Sequence, residues 1–144
     1  MSCHAGSLVA VLALAVIGCG AATPALPIAQ NEFGQFSLQM NDQSGLVDAV
    51  RPVEPDSVGP HGAVAMPEPK EIEIRWLGGA CAHVSVLNVT GSAQDLSVEV
   101  RTPNDPQLLP FLPVSCPAVG VPMGVVLSLS EPVAANAIDF EAPF

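Results

Sequence analysis

The sequence predicts an all-β domain, an antiparallel β-sandwich of about seven short strands. Three observations carry that expectation. Apolar and polar residues alternate with a period of two in several short segments, most clearly from Glu71 to Leu77. Turn-forming residues separate these segments at short intervals. Fifteen prolines are spread along the 144 residues, and no segment keeps a period of 3.6, so a long helix has nowhere to form.

In chain order, Phe36, Leu38 and Met40 share one face of a first strand. Asn41-Asp42-Gln43-Ser44-Gly45 supplies turn chemistry before Leu46 to Val50, so the two segments read as a hairpin. Prolines at 52, 55, 60, 67 and 69 make residues 52–69 an irregular connection over the surface. Ile72, Ile74 and Trp76 then fall on one face of a strand, and Glu71, Glu73 and Arg75 on its solvated face. Gly78-Gly79 breaks that strand ahead of Cys81. His83 to Thr90 is apolar on both sides, at Val84, Val86, Leu87 and Val89, as suits a central strand. Thr90-Gly91-Ser92 turns the chain into Leu96, Val98 and Val100, which alternate with Ser97, Glu99 and Arg101. Val125, Leu127 and Leu129 mark a sixth strand, and Ile138 with Phe140 a seventh.

Four basic residues (Arg51, Lys70, Arg75, Arg101) face fourteen acidic ones, for a formal net charge of −10. Such a surface repels polyphosphate and anionic headgroups, which excludes nucleic acid as a partner and electrostatics as a means of membrane attachment. Tyrosine is absent and Trp76 is the single tryptophan, so the aromatic platforms on which sugars and bases stack are missing.

At the N-terminus, Leu8 to Ile17 is an apolar run of ten residues, a helix of roughly 15 Å that covers half of a ~30 Å hydrocarbon core. Val16-Ile17-Gly18-Cys19 follows directly, then Gly20-Ala21-Ala22. This stretch resembles the lipobox of bacterial lipoproteins, although residues 2–7 carry no Lys or Arg. The resemblance implies cleavage before Cys19, a diacylglyceryl group on its thiol, and residence outside the cytoplasm on the face of a bacterial membrane. The organisation it implies is a signal peptide over 1–18, a lipidated tether over 19–33 and a β-sandwich over 34–144. Two alternatives stay open: an uncleaved transmembrane anchor, and ordinary signal-peptidase cleavage near Ala21 or Ala22 that leaves a soluble secreted protein.

Given that processing, Cys3 departs and Cys19 is acylated, which leaves Cys81 and Cys116 as one structural disulfide in an oxidising compartment. Val125 to Phe140 resembles the closing strands of bacterial immunoglobulin-like domains, though Trp76 precedes both cysteines. Trp76 to Cys81, with Cys116 to Gly120, is similar to small exported bacterial proteins of uncharacterised role.

Catalytic and metal-binding constellations are weak. Ser85 and His83 share a strand face with Asp95 nearby in sequence, but no nucleophile elbow or Ser-X-X-Lys motif occurs. His61 and His83 lack ligand spacing, and Glu54, Asp56, Glu68, Glu71 and Glu73 match no calcium loop. Neither a catalytic residue, a metal nor a cofactor is therefore assigned. Thr102 to Pro122 carries prolines together with Leu108, Leu109, Phe111 and Leu112, hydrocarbon that either folds back on the sandwich or forms a patch for an envelope partner. The expected function is a non-enzymatic binding or structural module of the cell envelope. An envelope enzyme with an unrecognised site and a solute- or metal-binding accessory are the alternatives.

Overall fold

The computed structural model describes residues 25–53, 62, 64–103 and 117–142. Among these residues the chain forms nine strands: β1 Leu26–Asn31, β2 Gly34–Asp42, β3 Val47–Pro52, β4 Val64–Ala65, β5 Glu71–Gly79, β6 Val84–Ser92, β7 Asp95–Arg101, β8 Gly120–Leu129 and β9 Ile138–Glu141. A single 3-10 turn over Ala135–Ala137 precedes β9, and the described residues contain no α-helix.

The strands form two sheets, ordered β1-β2-β6-β7-β9 and β3-β8-β5-β4. Their inner faces share one core, the all-β, sandwich-like architecture expected from the period-two alternation. In the first sheet Phe36, Leu38, Leu87, Val89, Leu96, Val98 and Val100 point inward. Ile72, Ile74, Trp76, Val121, Met123, Val125, Leu127 and Leu129 meet them from the second. β6 is the middle strand of its sheet, in agreement with its apolar composition. β8 is buried on both faces along part of its length: Val126, which points away from the core, is 3 % exposed. Beside it Gly124 has room for no side chain without pressing on Val53, since an added Cβ would lie 3.2 Å from that residue's own Cβ.

Three sequence expectations need correction. First, the pairing is mixed, because β2 runs parallel to β6 and β7 parallel to β9. Alternation reveals which face of a strand is buried but is blind to its direction.

Second, β2 and β3 are not a hairpin. They belong to different sheets, and the segment between them carries the chain across the sandwich. The Asp42 carboxylate organises that crossing. Its Oδ1 accepts from the Ser44 hydroxyl at 2.6 Å, the Ser44 amide at 2.9 Å and the Gly45 amide at 3.2 Å, and its Oδ2 accepts from the Val47 amide at 3.1 Å. The turn chemistry was real; what it turned toward was the other sheet.

Third, the fold begins ahead of residue 34. Leu26–Asn31, placed by sequence in the tether, is an edge strand antiparallel to β2. Ile28 is buried, and Leu26, Ala29 and Phe33 pack against the core. The tight turn holds because the Asn31 side chain accepts from the Phe33 amide at 2.9 Å and Gly34 adopts φ +125°. Pro27 is tolerated because β1 has a neighbour on one side only.

Candidate functional site

The register of the first sheet brings three polar side chains into one line on its outer face. Asn41 of β2 lies opposite Asn88 of β6, and Asn88 lies opposite Glu99 of β7. The Asn41 amide donates to Asn88 Oδ1 at 3.0 Å, and the Asn88 amide donates to Glu99 Oε2 at 3.0 Å. Arg101, two residues further along β7, flanks the row, its Nε donating to Glu99 Oε1 at 2.6 Å. Bonding from Arg101, then from Asn88, holds the Glu99 carboxyl below its ordinary range, and the same ion pair raises the Arg101 guanidinium. A carboxylate with both oxygens engaged is a poor proton acceptor at neutral pH, so the row suits recognition or sheet rigidity better than acid–base chemistry. Along β2 this face continues with Gln35, Ser37 and Gln39, all uncharged.

The outer face of the second sheet carries opposite charges in pairs. Arg51 meets Glu71 at 2.9 Å and Arg75 is bonded to Glu73 at 2.6 Å through its Nε. Val126 lies between Arg51 and Glu73 in the register and is covered by this layer. The carboxylates of Glu71 and Glu73 are thus each engaged by an arginine, and among the described residues no three His, Cys, Asp or Glu side chains gather in a metal-holding group.

The Ser85, His83 and Asp95 combination is not assembled. Ser85 is buried toward the core, 2 % exposed, whereas the His83 ring packs on Phe36 with centroids 5.0 Å apart. Asp95 pairs with Ser92 at the far end of β6, about 23 Å along the strand from Ser85. Within the core, the Trp76 indole Nε1 is buried without a hydrogen-bond partner, alone in this among the described side chains.

Cys81 sits in the turn after β5, closed by a 2.9 Å bond from the Ala82 amide to the Gly79 carbonyl. Cys19, Cys116, Leu108, Leu109, Phe111 and Leu112 lie outside the described residues. The Asn41–Asn88–Glu99 row was missed by sequence reading. Asn88 sits in a strand read from its apolar neighbours, and strand pairing, which places the row, leaves no local trace. Comparison with family models, with curated proteins and with solved structures yields no match.

Proposed function

We propose that this chain is a lipid-anchored module on the outer face of a bacterial membrane, with a non-enzymatic role in binding or assembly at the envelope. The observation that carries the reading is Val16-Ile17-Gly18-Cys19 at the end of an apolar run too short to span a bilayer. The position of β1 supports it. The first strand starts at Leu26, seven residues after Cys19 in the sequence. The polar, internally bonded faces of both sheets fit a surface that meets solvent and partners. The immunoglobulin-like resemblance is proposed for the architecture alone, not for strand order.

We further propose that Cys81 bonds to Cys116. Gly79, at the end of β5, pairs with Gly120, at the start of β8. In sequence, Cys81 follows Gly79 by two residues and Cys116 precedes Gly120 by four, a spacing that supports the bridge. The apolar residues Leu108, Leu109, Phe111 and Leu112 are retained as a proposed partner surface.

The deciding experiment expresses the full chain and a Cys19→Ser variant in bacteria and follows both through detergent-phase partition. The parent enters the detergent phase, because acyl chains contribute about 0.8 kcal/mol per buried methylene and two or more chains release slowly. The variant is expected in the aqueous phase. Retention of the variant in membranes after alkaline extraction refutes lipid anchoring in favour of a transmembrane segment.

A further inference from the structure

We infer that the tip of the β6–β7 hairpin, Ser92-Ala93-Gln94-Asp95, rests on the headgroups of the bilayer that holds Cys19. The inference builds on the lipid-anchor reading above and adds an orientation to it. Its basis is the register. Leu26 of β1 lies opposite Leu38 of β2, and Leu38 opposite Ser85 of β6, so the three share one row across the sheet. Because β1 is antiparallel to β2, the chain ahead of Leu26 leads toward the end of the sandwich where β2 finishes at Asp42. The β6–β7 hairpin reaches past that same end, since Asp42 is level with Val89 and β6 continues to Ser92.

Two lengths then decide how close the membrane comes. Seven residues separate Cys19 from Leu26, and fully extended they reach at most about 25 Å. Seven residues also separate Ser85 from Ser92, and as a strand they rise about 23 Å. With the strands upright on the bilayer, the hairpin tip stands as far from the Leu26 row as the acylated cysteine does. Sheet twist of roughly 20–25° per strand turns β6 some 40–50° from β1 and shortens its projection to about 16 Å. The remaining gap of about 9 Å is close to one headgroup layer, and any slack in the tether closes it.

The chemistry of this end suits headgroup contact without insertion. Its two leading turns, Gln43-Ser44-Gly45 and Ala93-Gln94, carry no charge. The Asp42 carboxylate is bonded inward to its own turn. Ala93 packs partly against the core, and no large apolar side chain stands at the tip to enter hydrocarbon. Glu68, Glu131 and Asp95 belong to this end as well, with Lys70 bonded to the Ser130 carbonyl at 2.8 Å. Their repulsion from anionic lipid is screened within about 8–10 Å at physiological salt. The short covalent tether therefore holds this end within about one headgroup layer of the bilayer in spite of its charge. The opposite end, with the Asn31–Gly34 turn and Ala80 to His83, faces away from the membrane.

The test uses the full lipidated chain in phosphatidylcholine nanodiscs that contain a headgroup-nitroxide lipid, with amide relaxation read by NMR. Ser44, Ala93 and Gln94 are expected to relax several-fold faster than in unlabelled discs, while Phe33, Ala82 and His83 stay unchanged. A Gly/Ser spacer of about twenty residues between Thr23 and Pro24 adds ~25 Å of mean reach and should abolish the selective effect. Uniform enhancement, or enhancement strongest at Phe33 and His83, in a chain that Cys19→Ser releases from membranes overturns the orientation and leaves the anchor standing. A Cys19→Ser chain that remains in the membrane overturns both.

Discussion

Replacing Gly91 with Ala should be one of the most damaging single-methyl changes in the molecule, and Gly45→Ala provides the matched control. Both glycines have positive φ, +97° at Gly91 and +69° at Gly45. A Cβ at Gly45 would meet nothing within 4 Å. The control therefore suffers only the left-handed strain of an L-residue, about 1 kcal/mol. A Cβ at Gly91 would drive into the Asp95 carbonyl oxygen and come within 3.5 Å of the Leu96 Cα. Those atoms are backbone and cannot rotate away. Relief requires the hairpin to open, at the expense of the Gly91–Leu96 and Ser92–Asp95 pairings. Strain of roughly 1–3 kcal/mol and the loss of one or two ladder bonds at about 1 kcal/mol each give about 2–5 kcal/mol for Gly91→Ala. At roughly 4 °C per kcal/mol for a domain of this size, Tm falls by about 8–20 °C, against about 4 °C for the control. Chemical denaturation followed by circular dichroism on both variants measures the difference. Losses within 1 kcal/mol of each other would refute the close approach at Gly91.

The polar row, the core and the disulfide each allow a further test. The Glu99 carboxyl should titrate below its ordinary range by NMR and move upward in Arg101→Gln, and by less in Asn88→Ala. Because its folded value is depressed, the stability it lends is present above the unfolded carboxyl pKa and disappears as pH falls through the folded one. Trp76→Phe should cost far less than the roughly 3–5 kcal/mol expected for Trp76→Ala, because it also removes the orphaned indole donor, whose burial costs about 1–3 kcal/mol. A Phe variant as unstable as the Ala variant in urea melts would show that the indole nitrogen is satisfied in solution. Intact-mass measurement of the non-reduced mature domain should find no free thiol at Cys81 or Cys116. Reduction should lower stability by about 4 kcal/mol, as closure of a loop of this length implies; two alkylatable thiols before reduction would contradict the bridge.

What the sequence discloses about this fold is the facing of side chains. Ile72, Ile74 and Trp76 were placed correctly because alternation along one strand is a local property, and the same holds for Leu96, Val98 and Val100. Partnership is not local. The parallel pairs β2–β6 and β7–β9 join segments about fifty and forty residues apart, and nothing in either member names the other. β1 escaped notice for a different reason: Leu-Pro-Ile-Ala-Gln-Asn has a proline and a single deeply buried side chain, Ile28, so its burial as an edge strand barely shows as a pattern. The polar row fails on both counts. Asn41, Asn88 and Glu99 are ordinary outward residues until the register aligns them.

The place of β8 in the second sheet bears on how the protein comes to exist at all. Gly120–Leu129 lies between β3 and β5 and makes the ladders that join them. Without it, Val47–Pro52 has no partner within its sheet, and Glu71–Gly79 keeps only the two-residue β4. The first sheet likewise gains its last strand from Ile138–Glu141. Four strands of the first sheet lie ahead of residue 102, so the second sheet is the half that cannot form until Gly120–Leu129 is present. Long-range closure of this kind is slow, because loop entropy must be overcome before any pairing is rewarded. Delay of that sort would suit the export proposed above, since a chain without β8 has no second sheet to obstruct its passage.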